Sequence, residues 1–150
     1  MSISPNFPAI YVHNTKAIKY ADAIVEGYKT IETRTRDVLG RFVGCRVLII
    51  RTDDNKKPMV IGSVSITHDA YKSAEALDEL RDRTLIPPGS KFDCHGCGKW
   101  CYFLRHATKF SHEIPLSELR VRSRCRSYAM IETDSICDWL KANDLNSVCQ

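Results

Sequence analysis

The run Arg46-Val47-Leu48-Ile49-Ile50-Arg51 constrains this chain more than any other segment. It is rich in β-branched residues and is closed by the turn-formers Asp53-Asp54-Asn55, so it reads as a strand. Val60 to Thr67 follows too closely for a helical crossover and is expected to pair with it antiparallel. Gly62 within that second strand marks a bulge or a close backbone approach. With no helices between its central strands, the chain is not expected to form a doubly wound parallel sheet. The spacing predicts an α+β fold, a small curved sheet or barrel with flanking helices.

The other elements fit around that pair. Ala9 to Val12 is a short apolar strand, and Asn14 is placed to cap a helix whose Ala17, Ile18, Ala21, Ile24 and Val25 recur at helical spacing. Gly27 stops that helix. Ser73 is expected to cap a helix running to Arg83, and Ile86-Pro87-Pro88-Gly89-Ser90 ends it in a long loop. Strands are predicted at Trp100 to Phe110 and Tyr128 to Glu132, with a helical turn over Pro115 to Leu119 between them. A last amphipathic helix from about Asp134 to Ala142 would bury Ile136, Trp139 and Leu140. Tyr102, Phe103, Phe110 and Tyr128 are expected in the core rather than as platforms for ligands.

At 150 residues, 43% hydrophobic and 27% charged, the chain reads as one domain over 1–150 with a core of its own. No apolar run is long enough to span a bilayer, and Met1-Ser2-Ile3-Ser4-Pro5 lacks the layout of a signal peptide. A cytoplasmic protein without a membrane partner is therefore expected. Seven cysteines, an odd number, point to reduced thiols or a metal site rather than a disulfide framework. The net charge of +4 permits a polyanionic partner.

The segment Gly27-Tyr28-Lys29-Thr30-Ile31-Glu32-Thr33-Arg34 concentrates the chemistry. If a strand begins at Lys29, alternation sends Thr30, Glu32 and Arg34 to one face, with Lys29 leaning over it from the corner. A cation, an acceptor and a planar guanidinium converging there suit a phosphate-bearing or amide-bearing ligand. Lys29 and Glu32 are the candidate catalytic pair, and Lys29, Thr30, Glu32 and Arg34 the candidate binding set. A lysine acts as base or nucleophile only when burial or a neighbouring cation lowers its pKa. Glu32 facing a water is the alternative base, with Lys29 stabilising an oxyanion.

Two further constellations stand out. In Arg120-Val121-Arg122-Ser123-Arg124-Cys125-Arg126 the arginines alternate, so an extended chain would line all four along one side. Neighbours would then lie about 7 Å apart, near the spacing of phosphates along a strand. In Cys94-His95-Gly96-Cys97-Gly98-Lys99-Trp100-Cys101, the Cys-x-x-Cys could present Cys94 and Cys97 to a structural zinc, with Cys101 or His95 joining and a fourth ligand from elsewhere. No other cofactor is called for.

With these residues in view, the chain resembles an ASCH domain, a branch of the PUA-like superfamily. The shared mark is a helix ending in Gly-x-Lys-x-x-x-x-Arg with a glutamate between, here Gly27, Lys29, Glu32 and Arg34. Gly44 leading into Val47 to Ile50, Val60 to Val64, and a distal strand holding Trp100 and Tyr102 extend the likeness over roughly residues 8 to 132. The resemblance implies a PUA-like mixed or antiparallel barrel with a cleft beside the Gly-x-Lys motif, and RNA or a nucleoside as partner. One branch of the family is similar to amidohydrolases acting on N4-acetylcytidine, which pair a lysine matching Lys29 with a threonine three residues on and a later glutamate. Here Glu32 stands at the threonine's position, and Glu75 and Glu79 match the later glutamate only by rough location. Four functions thus stay open: RNA or nucleoside binding, hydrolysis of a modified nucleoside, weak ribonuclease activity, and a protein-interaction adaptor, which would show an exposed apolar patch. An enzyme predicts a pocket sized for one base with Lys29 buried, whereas a binding module predicts an open groove continuous with the arginines.

Overall fold

A computed structural model describes residues 5–143. Seven strands form one sheet: β1 (Asn6–His13), β2 (Ile31–Arg34), β3 (Arg46–Asp53), β4 (Lys56–Lys72), β5 (Lys99–Pro115), β6 (Val121–Arg124) and β7 (Tyr128–Glu132). Their spatial order is β2-β5-β4-β3-β1-β7-β6. Only β1 and β3 run parallel, because the chain crosses to β2 at the far edge before returning beside β1. The ladder does not close, yet the sheet curls strongly. The Arg34 guanidinium on β2 donates to the Tyr11 carbonyl of β1 at 2.7 Å, although three strands separate them in the ladder.

The β3–β4 pair is antiparallel as expected, with Val47 opposite Val64 and Ile49 opposite Gly62. At Gly62 the β4–β5 register also shifts. A Cβ there would lie 2.2 Å from the Thr108 carbonyl oxygen and 2.7 Å from the Val25 side chain. Only glycine lets helix α1 (Tyr20–Val25) and β5 approach the strand together.

Helix α1 starts later than its apolar spacing suggests. Residues 15–18 form a turn in which the Ile18 amide donates to the Thr15 hydroxyl. Asn14 still caps the helix, but across that turn: its Oδ1 accepts from the Ala21 amide at 2.8 Å, and its Nδ2 donates to Asp22 at 2.6 Å. The helix predicted from Ser73 to Arg83 is two short pieces, α2 (Ala74–Asp78) and α3 (Arg81–Thr84). Ser73 caps the first through the Ala76 amide. The break falls at Glu79 and Leu80, and Leu85 ends α3 in the left-handed region.

Two main core clusters lie on opposite sides of the sheet. One joins α1 to Ile10, Val47, Ile49, Val64, Ile66, Tyr102 and Leu104. The other packs Leu48, Ile50, Val60, Ile114 and Ile131 beneath α4 (Thr133–Ala142), which buries Leu140 and rests Ile136 and Trp139 against it. Tyr102 and Tyr128 serve the first cluster, Phe110 flanks the second, and Phe103 flanks a small third one around Ile31, Leu77 and Cys101. Among the described residues no helix is long and apolar enough to cross a membrane.

Candidate functional site

Gly27 has φ +86°, a backbone that L side chains rarely adopt, and it turns the chain sharply off α1. The amides of Tyr28 and Lys29 then both donate to the Ala23 carbonyl, at 2.9 and 3.1 Å. This C-terminal knot fixes where Lys29 starts. Its side chain runs inward, leaving the residue 2% exposed.

The Lys29 ammonium meets three partners. It donates to the Thr84 carbonyl at the end of α3, lies 3.8 Å from Glu32 Oε1, and sits 5.1 Å from the centre of the Tyr20 ring. The second Glu32 oxygen accepts from Arg34 Nη2 at 3.0 Å, and the Thr33 amide donates to Oε1 at 3.2 Å. One carboxylate thus stands between a buried ammonium and a half-buried guanidinium. Burial pulls the Lys29 pKa below its ordinary value; Glu32 opposes that shift and Arg34 reinforces it. Burial, and then the Glu32 charge, push the Tyr20 hydroxyl upward.

These groups line a concavity of about 210 Å³ between β1 and β2. Tyr11, Val12, His13, Tyr20, Ile86 and Phe92 complete it with Thr33, and of these only His13, ahead of the helix that leads to Lys29, draws notice from sequence. His13 is held by Thr52 at 3.0 Å and Asp54 at 3.4 Å. Ile86 and Phe92 come from the loop after α3, which Asp93 braces. Its carboxylate accepts from the Gly89 and Cys94 amides and from both terminal nitrogens of Arg81. The Gly89 bond leads in holding the Asp93 pKa down at about 2.

A larger groove of about 640 Å³ runs between β5 and α4. The smaller site is chemically the richer one, because Lys29 and Glu32 are the only charged residues buried among those described. Burying charge costs several kcal/mol per ion unless it is paired, so a fold that keeps both at one cavity has concentrated its polarity there.

The Thr30 side chain is not part of this arrangement. β2 begins one residue later, at Ile31, and the Thr30 hydroxyl accepts from Arg83 Nε at 2.9 Å, away from the cavity. Neither Glu75 nor Glu79 lines the cavity either; both are exposed.

Solved structures with the same architecture come from Zymomonas mobilis. A crystal structure of its ASCH protein carrying a serine-to-alanine substitution matches 89% of this chain and 95% of its own, with TM-score 0.67 and 18% identity. The ASCH structure described without a substitution matches 73% of this chain and 74% of its own, with TM-score 0.58 and 20% identity. A tyrosine-to-phenylalanine variant gives 0.54 over 73% and 76%, again at 20% identity. This chain has an ASCH-type fold. No family model matches the sequence, and no curated protein does.

Within this ASCH-type fold the four arginines do not form a straight track. β6 covers only Val121–Arg124, and its register against β7 slips between Val121 and Ser123, which breaks the alternation. Arg120 is paired with Glu132 at 2.5 Å and Asp138 at 3.1 Å, and Arg122 with Glu132 at 3.3 Å. Arg124 and Arg126 are exposed, with no ion pair among the described residues. The cysteine loop of the ASCH-type fold is likewise dispersed. Cys97 is exposed, Cys94 half-buried, and Cys101 fully buried with its thiol toward the Lys99 carbonyl at 3.8 Å. Among the described residues no three His, Cys, Asp or Glu gather closely enough to hold a metal ion. Burial pushes the Cys101 thiol up to about 11.

Proposed function

We propose that this chain binds RNA or a free nucleoside, taking one unpaired base into the Lys29 cavity. The observation that carries this reading is the burial of Lys29 and Glu32 at the same small concavity, a one-base pocket of the kind expected of an enzyme, so the hydrolytic reading below draws on it equally. A volume of about 210 Å³ falls below the roughly 300–1,000 Å³ of drug-sized sites and suits a single ring system. Tyr11, Tyr20 and Phe92 offer apolar walls for a base. Lys29 and Arg34 supply donors and Glu32 an acceptor for its polar edge. Arg124 and Arg126, the two arginines of their segment without an ion pair among the described residues, supply phosphate contacts when the base belongs to a longer RNA.

Amide hydrolysis on a modified nucleoside is the second reading, favoured by the lowered pKa of Lys29. A loosely held proton makes the ammonium a strong donor to a developing oxyanion. In this scheme Glu32 takes a proton from water as the water oxygen adds to the acyl carbon. The tetrahedral intermediate then breaks its C–N bond, and the proton passes from Glu32 to the departing nitrogen. Acid and amine are released with atoms balanced.

The test is a titration of the four ribonucleosides, an N-acylated cytidine and a short single-stranded RNA, at fixed salt, into wild type and Lys29→Met. Loss of a charge-assisted contact is expected to weaken nucleoside binding about ten- to hundred-fold. Undiminished affinity in a folded Lys29→Met variant rules out the site. Mass analysis of the acylated nucleoside separates turnover from binding.

A further inference from the structure

We infer that Tyr71 and Trp100 form a stacking platform for a second unpaired base, beside the one in the Lys29 cavity. The preferred ligand is then a single-stranded RNA of at least two nucleotides, and this rests on the reading of that cavity as a base pocket. The argument begins with register. Arg34 on β2 lies opposite Trp100 on β5, and Trp100 lies opposite Tyr71 on β4. One row of the sheet therefore runs from a cavity-lining guanidinium through an indole to a phenol. The neighbouring row, Glu32 opposite Tyr102 opposite Asp69, is in phase with it, so all of these positions share a face.

Exposure is the second observation. Tyr71 is 54% exposed, and among the described residues only Tyr28 joins it as a large apolar side chain so open to solvent. Tyr71 is also held in place. Its ring meets that of Trp100 edge-on, with centroids 5.7 Å apart and planes at 68°, while Trp100 packs on the core from its other side. An aromatic surface left open at the end of a row that starts in the cavity has the form of a base-stacking site. Two strand spacings separate Arg34 from Tyr71, roughly 10 Å along the row. One sugar-phosphate unit bridges that gap when consecutive bases are splayed rather than stacked on each other. Arg36, two positions past Arg34 and beyond the end of β2, is exposed and without an ion pair among the described residues.

Other aromatic contacts on the sheet are already engaged. Phe103 stacks on His68 at 4.1 Å, and the Arg83 guanidinium lies 5.4 Å from its ring centre. Tyr128 meets Phe42 edge-on at 4.9 Å, with the Arg41 guanidinium 5.5 Å from its ring centre. Among these contacts, the Tyr71 row alone leaves a large aromatic side chain exposed.

Calorimetric titration separates the platform from the pocket. The tightest-binding ribonucleoside and its 5′- and 3′-extended dinucleotides are titrated into wild type, Tyr71→Phe and Tyr71→Ala. One dinucleotide is expected to bind wild type and Tyr71→Phe at least about ten-fold tighter than the nucleoside. Tyr71→Ala is expected to lose that increment while keeping the nucleoside affinity. In a Trp139→Phe background, the remaining indole emission is expected to change with dinucleotide and not with nucleoside. A dinucleotide that gains nothing, or a gain that survives Tyr71→Ala, overturns the platform with the pocket left standing. Failure of wild type to bind any nucleoside or dinucleotide overturns the pocket reading and the platform together.

Discussion

Two stretches of this chain gather cations, and the fold treats them in opposite ways. Lys29 and Arg34 are drawn around one carboxylate at the edge of a cavity, with the ammonium itself almost wholly buried. Arg120 and Arg122 stay at the surface and share a different carboxylate, Glu132, while Arg124 and Arg126 face solvent. The difference lies in what surrounds the charges. An exposed ion pair is worth about 0–1 kcal/mol, because water and salt screen it. A buried set is costly to assemble and costlier to break. Spacing in sequence proposes a site, but burial decides which charges are held ready for a ligand.

The sharpest way to break this contrast is to remove each carboxylate in turn. Glu32→Ala leaves an ammonium and a guanidinium facing each other in a buried space, and is expected to lose about 3–5 kcal/mol in urea unfolding. Glu132→Ala, whose two guanidinium partners are more than half exposed, is expected to cost less. Equal losses at both positions would erase the distinction.

How much of this was legible in the sequence follows the same line. The β3–β4 pair, the Gly62 bulge and the Gly27 stop were readable because each depends on local sterics and periodicity. Gathering Lys29, Glu32 and Arg34 also needed only a glycine stop followed by a strand. Thr30 fell away because β2 starts at Ile31, two residues after Lys29, and Arg83, 53 positions on, takes its hydroxyl. Tyr11, Phe92 and the Asp93 brace were invisible for a related reason: they reach the site through the curl of the sheet and the return of a distant loop. An Asp four residues past a Pro-Gly turn, with an Arg in the preceding helix, was the one signal available for that brace.

A pH series sharpens the comparison at Lys29 itself. Its folded pKa lies below the ordinary 10.5, so below that folded value the ammonium is charged in both states and its burial weakens the fold. As pH rises from there toward 10.5, the folded chain releases a proton that the unfolded chain keeps, and stability increases. Cys101 works the other way. Its pKa rises from 9.0 to about 11, so the unfolded thiol ionises first and stability falls across that interval. Subtracting a Lys29→Met series from wild type isolates the lysine. The relative stability of wild type is expected to climb with pH up to about 10.5, and a flat difference would mean that Lys29 is not perturbed.

The smallest expected effect belongs to the surface arginines. Arg124→Ala with Arg126→Ala is expected to reduce the slope of log affinity against log salt for a long single-stranded RNA by about 1.4, and to leave nucleoside binding alone. Arg120→Ala, already neutralised by Glu132 and Asp138, is expected to change the slope little. A full reduction from Arg120→Ala would show that its ion pairs open readily for phosphate.

The bond from Lys29 to the Thr84 carbonyl has a consequence for occupancy. That backbone oxygen takes one of the ammonium's three N–H groups, which leaves the others for Glu32 and a guest. The last turn of α3 is thereby tethered to the amine, at a residue only 2% exposed. A guest that draws the amine away from Thr84 would loosen a helix end it never touches, and quickened amide exchange at Leu85, whose amide donates within that turn, would report that pull.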